Sequence, residues 1–474
     1  MSFKYQAVKH TDNHYVLPKV ANMKCDVHAF LSEKLYNLSE ENVWLQASNA
    51  ASYPGVTDVF LLPDTHGGFG VPIGSVVITE DTIIQAANGY DISCGISYIR
   101  FPKLFASDIA SWDKRVKLIK EIERRLTFGI GSARSEMARS FSTKDVEGIL
   151  RYGAQYLGID ANLCERQYIP IPEDLDLNKI EKAYVKAGVQ LGSIGSGNHY
   201  CEVQCDEETG EVWVMIHCGS RGYGYQTAND FFYRAAELRG LPKNERENSW
   251  LRMDEPLGKE YWGYVNSAAN YAIANRHIII EAVKDAMKTV FKTEGHGFYE
   301  ISHNLAQEET IVLPNGETRK GLVHRKGATR AFPAGHPDLI GTKWAETGHP
   351  CLIPGSMRDG AAILFPRGDM NDLSGAYKSG CSVNHGSGRL LGRKDAKRKL
   401  ADKQQWIDND MATVTRKLGG TMVRGIVTNT KKTPLDECSK VYKNLDDVLS
   451  VLEAEGIATV DKRLFPVANL KSYD

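Results

Sequence analysis

Asn88-Gly89-Tyr90-Asp91-Ile92-Ser93-Cys94-Gly95 sets a carboxylate and a thiol three positions apart between two glycines. Hard carboxylate oxygen beside thiolate sulfur suits a transition metal, and a thiolate deprotonated by the metal can serve one ion or bridge two. Glycines on either side let the backbone crowd such a centre. The alternative is a buried, inert cysteine acting as a small hydrophobe. Histidines elsewhere in the chain have to decide between the two.

Working outward, Val59-Phe60-Leu61-Leu62 reads as a buried strand that runs into a glycine-rich loop, Pro63-Asp64-Thr65-His66-Gly67-Gly68-Phe69-Gly70. Ser75 to Thr79 and the alternating Ile96 to Arg100 bracket the Asp91/Cys94 loop as strands. Both loops therefore belong on one sheet. Downstream, Gly192 to Gly197 lead into Asn198-His199-Tyr200-Cys201-Glu202, where a regular strand would put His199 and Cys201 on one face and Asn198, Tyr200 and Glu202 on the other. Val212 to Ile216 is another buried strand, ending at His217 before Gly219-Ser220-Arg221-Gly222. A lone histidine is more readily a core imidazole than a ligand, but two on successive strand ends, each beside glycines, narrow that difference.

Apolar spacing predicts helices over 108–126 and 259–291, the second as one or two long core helices. His277 on that helix and His303 in Ile301-Ser302-His303-Asn304 read as packing and, at most, support for a site. Gly321 to Arg330 carries His324 beside Arg325, Lys326 and Arg330, a cluster suited to phosphate or, alternatively, a solvated basic loop. Pro354-Gly355-Ser356-Met357 offers backbone amides to an anion. In Ser379 to Arg389, His385 stands among small residues with Gly386, Ser387 and Gly388, open to a phosphoryl group on its ring or to a metal. A charged, helix-forming tract over 394–417 turns Leu400, Trp406, Ile407 and Met411 inward.

The 474 residues carry a formal net charge of −1, so a nucleic-acid site has to be a local patch. Length suggests two or three domains or one elaborate α+β unit, and composition marks no linker or repeat. Nine cysteines without regular spacing fit reduced thiols better than a disulfide framework. With no apolar leader and no run of membrane-spanning length, a cytoplasmic protein without membrane contact is expected.

Taken together, Asp91-x-x-Cys94-Gly95, Gly197-Asn198-His199-x-x-Glu202, His217-x-Gly219-Ser220-Arg221-Gly222, His324 to Arg330, Pro354 to Met357 and His385-Gly386-x-Gly388-Arg389 resemble the signature set of the RtcB family of RNA-splicing ligases. The resemblance runs from about residue 55 to the C-terminus. It implies a single α+β architecture over 1–474, with mixed β-sheets, surrounding helices and a central dinuclear metal site. It further implies a GTP- and Mn²⁺-dependent ligase that joins an RNA 3′-phosphate or 2′,3′-cyclic phosphate to a 5′-hydroxyl, in tRNA splicing or RNA repair, with an archease-type activator as a candidate partner. Carried over, His385 is the guanylylated nucleophile, and Asp91, Cys94, His199, His217 and His324 hold two Mn²⁺ ions. Guanylate contacts fall on Asn198, His199, Tyr200, Cys201, Glu202, His324, Arg325, Pro354, Gly355, Ser356, Met357, His385, Gly386, Ser387, Gly388 and Lys471. Arg325, Lys326 and Arg330 are candidates for the RNA phosphate. Arg358-Asp359-Gly360-Ala361 departs from the family pattern after Met357, which bears on guanylate binding. A dinuclear phosphoesterase would share the metal ligands without needing His385 or Lys471, and a non-catalytic RNA-binding relative would need none of them.

Overall fold

The computed structural model describes residues 2–130, 135–159 and 169–472. Its β-rich runs assemble into two large sheets, as the α+β reading expects. The first orders Val8–Thr11, His14–Leu17, Val27–Phe30, Val56–His66, Ile73–Thr79, Thr318–Lys326 and Asn304–Val312. Its pairings are antiparallel except between Val27–Phe30 and Val56–His66. The second orders His296–Ser302, Gly95–Phe105, Glu211–Cys218, Tyr200–Asp206, Ala458–Leu470, Ala361–Pro366 and Cys351–Pro354, with Val427–Thr428 added beside Ala458–Leu470.

The strands flanking Asp91 and Cys94 therefore separate. Ile73–Thr79 stays in the first sheet while Gly95–Phe105 enters the second, so the loop between them crosses from one sheet to the other. A second crossing is sharper: His296–Ser302 and Asn304–Val312 belong to different sheets and only His303 lies between them. The two crossings are tied together, because the His303 N–H donates to the Cys94 carbonyl at 2.8 Å and the Ser93 N–H to the Asn304 carbonyl at 2.6 Å.

The long helical pattern is one helix, Pro256–Phe291, opened by proline at its first turn, where the missing N–H costs nothing. Tyr261, Tyr264, Ala268 and Tyr271 pack into the apolar core of the first sheet, and Ile279, Ile280 and Val283 into that of the second. Each fully buried side chain of this size contributes roughly 1.5–3 kcal/mol. One rod thereby fastens both sheets. Between its two apolar stretches, the fully buried Arg276 donates to the carbonyls of Ser93 at 2.8 Å and Cys218 at 3.1 Å, while Glu300 balances its charge. This arginine stands next to the histidine that drew attention in the sequence, and it braces the loop that carries Cys94 and the end of the strand that carries His217. His277 itself packs on Phe298, as expected of a core imidazole.

Three sequence expectations shift. The 108–126 pattern divides into Ala106–Ile109 and Trp112–Arg125. The strand beginning near Val59 continues as Val56–His66 through Pro63 to His66, so Asp64 and His66 are strand residues instead of loop residues. Trp406 points outward, 48% exposed under Lys440, while Ile407 and Met411 face inward. Eight cysteines among the described residues are free thiols. No helix there is long and apolar enough to cross a membrane.

Candidate active site

A cavity of about 390 Å³ opens where the two sheets approach, lined by Asp91, Cys94, His217, His303, His385 and Lys471 among others. Its floor is the Asp91 to Cys94 turn. Ser93 adopts φ +58° there and holds its hydroxyl 2.7 Å from that of Ser302; the Cys94 N–H donates back to the Asp91 carbonyl at 3.1 Å. The tight turn brings carboxylate and thiol to one side of the loop.

Cys94 Sγ lies 3.3 Å from His199 Nε2 and 3.1 Å from His217 Nε2. Asp91 Oδ2 is 2.9 Å from His199 Nε2, and His303 Nε2 is 3.2 Å from His217 Nε2. Asp91 Oδ1 is buried with no hydrogen-bond partner. Burial, and next the Asp91 carboxylate, push the Cys94 thiol up to about 12, so a thiolate at neutral pH needs a cation beside it. Burial and their imidazole neighbours hold His217 and His303 well below the ordinary histidine range. They are therefore neutral, with lone pairs to give. Cys94, His199 and His217 bring their donor atoms within 4.8 Å of one another, and with Asp91 beside His199 and His303 beside His217 this thiol, carboxylate and three imidazoles fit a transition-metal centre.

The third imidazole is His303 and not His324. His324 is fully buried, its Nε2 accepts the Ile84 N–H at 3.1 Å, and its Nδ1 lies 3.1 Å from the Val77 carbonyl. Its lone pair is thus occupied by backbone, and burial lowers its pKa to about 4. The expected metal ligand instead braces the turn leading towards Asp91 and does not line the cavity. His303 carries the same signal as His199 and His217, a histidine at a strand end. What concealed it is that two strands of different sheets meet there.

His385 follows the strand Ser382–Asn384, which pairs with Ala328–Arg330. Asp64 Oδ2 stands 2.6 Å from His385 Nδ1 and 3.3 Å from the His385 N–H. The contact to Nδ1 is a close approach whose angle falls short of a hydrogen bond. With Nδ1 against the carboxylate, Nε2 is the nitrogen left for a reacting group. The His303 and His385 rings are 5.0 Å apart, so the histidine loop adjoins the metal group. Two glycines permit the approach: a Cβ on Gly327, at φ +60°, would meet the His385 ring at 3.0 Å, and one on Gly388, at φ +73°, would meet the Asp64 carbonyl at 2.2 Å.

Around this centre the cavity collects most of the residues expected to meet guanylate: Asn198, Tyr200, Glu202, Pro354 to Met357, His385 to Gly388 and Lys471. Glu202 accepts from Asn469 at 2.5 Å and Gln204 at 2.6 Å; burial raises its pKa to about 7 against those donors and Lys471. Lys471 donates to the Gly197 carbonyl at 3.2 Å and sits 3.4 Å from Glu437. Burial works against charge on Glu437, yet Lys471, Arg393 and Arg389 hold it down to about 2. Glu437 and Asp64 were not apparent in the sequence, since only tertiary folding brings them to the cavity. In the Arg358 to Ala361 departure, Arg358 pairs with Asp410 and Ala361 packs into the apolar core.

Other expected contacts separate from the cavity. Cys201 faces the apolar core with Val203 and Cys205, because strand alternation turns it away from Tyr200 and Glu202. Arg325 forms a buried two-pronged pair with Glu309, at 2.6 and 2.8 Å, and also donates to Ser382. Arg330 donates to Gln307 at 2.9 Å. Neither arginine lines the cavity. Lys326 does line it, donating to the carbonyls of Phe69 and Val71 at 2.7 and 2.8 Å, and burial lowers its pKa to about 7.

A family model described as "tRNA-splicing ligase RtcB" matches residues 46–472. A "tRNA-splicing ligase RtcB" of Thermococcus kodakarensis is 32% identical over 92% of each chain, and one of Pyrobaculum aerophilum is 33% identical over 90% of each. "RNA-splicing ligase RtcB homolog 1" of Entamoeba dispar is 30% identical over 95% of this chain and 88% of its own. With the match running through the Asp91/Cys94 loop, the strand-end histidines and the His385 loop alike, this chain belongs to the RtcB family.

Proposed function

We propose that the protein is an RNA ligase that uses GTP and Mn²⁺ to join an RNA 3′-phosphate or 2′,3′-cyclic phosphate end to a 5′-hydroxyl end, through a guanylyl group carried on His385. The observation that carries this reading is the placement of His385, with Asp64 Oδ2 2.6 Å from Nδ1 and its ring 5.0 Å from that of His303. A hydrolase would need the metal donors alone and would leave such an oriented imidazole without a task.

In the first step His385 Nε2 forms a bond to the α-phosphorus of GTP, and the bond to pyrophosphate breaks. Asp64 favours the tautomer with the proton on Nδ1 and steadies the charge that develops on the ring. Next, an oxygen of the RNA 3′-phosphate, which a 2′,3′-cyclic end becomes once water opens its bond to the 2′ oxygen, takes the guanylyl group, restoring the imidazole. Finally the 5′-hydroxyl attacks that activated 3′-phosphate and GMP leaves, so the junction phosphate originates from the 3′ end. Asp91, Cys94, His199, His217 and His303 would hold Mn²⁺, which when bound supplies positive charge for the phosphate oxygens. Glu202 and Tyr200, which line the same cavity, would meet the base, and the Ser356 and Gly386 to Gly388 loops would offer polar groups to the rest of the nucleotide.

The test is intact mass after incubation with GTP and Mn²⁺, followed by ligation of an RNA carrying a labelled 3′-phosphate. A gain of one GMP that His385→Ala abolishes, and label recovered inside the new linkage, are the expected results. An adduct that persists in His385→Ala, or label released as free phosphate, would defeat the reading.

A further inference from the structure

A second cavity, about 500 Å³, lies against the outer side of the Asp91 loop and shares Tyr90 and Asp91 with the first. Tyr90 is thus the wall between them. Its ring stacks on Tyr225 at 5.3 Å between centroids and 28° between planes. Phe69, at 5.3 Å, and Phe232, at 4.9 Å, back Tyr90 from behind. Phe232 is fully buried, whereas Tyr225 is 50% exposed and Tyr233, two turns farther along the helix Arg221–Leu238, is 41% exposed.

This graded exposure differs from that of a core cluster. A core buries its outermost ring; here the buried Phe232 and the half-buried Phe69 fix Tyr90, and Tyr90 presents Tyr225 to solvent. Cations lie near the cluster. Arg246 lies over the rings of Phe69 and Tyr233, at 5.4 and 5.1 Å, and the second cavity is lined by the exposed Lys186 and by Arg221, which is buried and donates to the Gly129 carbonyl. Rigid exposed aromatics flanked by cations, next to a centre that acts on nucleic-acid ends, have the chemistry of single-strand recognition: bases stack on the rings and phosphates follow the positive rim.

We propose that Tyr225, held by Tyr90, is a stacking platform for an unpaired RNA base beside the end being joined, and that the second cavity is part of the strand's path to the reacting phosphate. The proposal rests on the RNA-ligase reading above and adds a binding site to it. Tyr225 is a substrate-positioning residue remote from nucleotide activation. Its loss therefore affects RNA and spares GTP.

The experiment uses the full chain and short single-stranded RNAs with 2-aminopurine as the terminal base, one ending in a 3′-phosphate and one in a 5′-hydroxyl. Anisotropy reports binding, quenching of the 2-aminopurine reports stacking, and guanylylation is followed separately by intact mass. The platform predicts quenching of at least one RNA by the wild-type protein, and the RNA quenched identifies the end. Tyr225→Ala should relieve the quench and weaken binding about 5- to 100-fold, Tyr225→Phe should retain both, and both variants should guanylylate normally, which also shows that they fold. Quenching and affinity unchanged in Tyr225→Ala, with guanylylation intact, would overturn the platform while leaving the ligase reading in place. A wild-type protein that takes up no GMP and binds neither RNA would overturn both.

Discussion

Residues 301–304 and 321–330 each contain a histidine, and the two stretches exchange the importance their composition suggests. The later one is dense with charge, yet His324 is spent on backbone and Arg325 on Glu309. The earlier one, Ile301-Ser302-His303-Asn304, carries no charged side chain and stands at the meeting point of both sheets. There His303 reaches His217, the Asn304 side chain accepts the Gly327 N–H at 2.7 Å, and both lie at the cavity. Clustered cations in a strand are matched by partners on neighbouring strands, and a buried charge persists only when so matched. A crossing between sheets leaves side chains unmatched and free for chemistry.

The sharpest way to break this comparison is to exchange the losses. His303→Ala should cut guanylylation on the order of 1000-fold, as expected when charge stabilisation at a phosphate fails, and lower bound Mn²⁺ measured by elemental analysis while thermal unfolding stays near wild type. Arg325→Ala should do the reverse. Removing it strands the buried Glu309 carboxylate, at a cost of about 3–5 kcal/mol read from denaturant unfolding, with metal content per folded molecule unchanged.

Smaller effects sharpen the picture. Glu202, at about 7, sits above the ordinary carboxylate value of 4.5. Its contribution to stability is therefore complete below about pH 4.5 and is lost as pH rises through about 7. Glu202→Gln, which cannot ionise, should gain on wild type across that window by at most about 3 kcal/mol. Unfolding curves at pH 5 and pH 8 check the sign, and an advantage that shrinks with pH would contradict it. His324→Ala leaves the buried Ile84 N–H without its acceptor and should cost about 1–3 kcal/mol, with guanylylation retained by the folded fraction. A loss of bound metal in this variant would return His324 to the metal group.

These contrasts show which features local sequence carries. His199 and His217 were legible because each ends or precedes a buried strand beside glycines, and the 256–291 helix because its apolar period is long and uninterrupted. Cys94 was legible through its own loop. His303 follows the same strand-end rule, but that the flanking strands diverge into different sheets is not encoded in either strand. Asp64 lies within a strand, and its role depends on the Gly388 turn folding over it from more than three hundred residues away. Strand parity separated Tyr200 and Glu202 from Cys201, yet parity could not place Arg325, because it identifies opposite faces without saying which one borders a cavity.

The measurement that tests the account most directly is anomalous diffraction from crystals of the Mn²⁺-loaded protein. The account predicts density for the ion bonded to Cys94 Sγ, with His303 Nε2 among the ligands of the metal group and His324 still hydrogen-bonded to Ile84. Density at His324 with His303 unligated would contradict it.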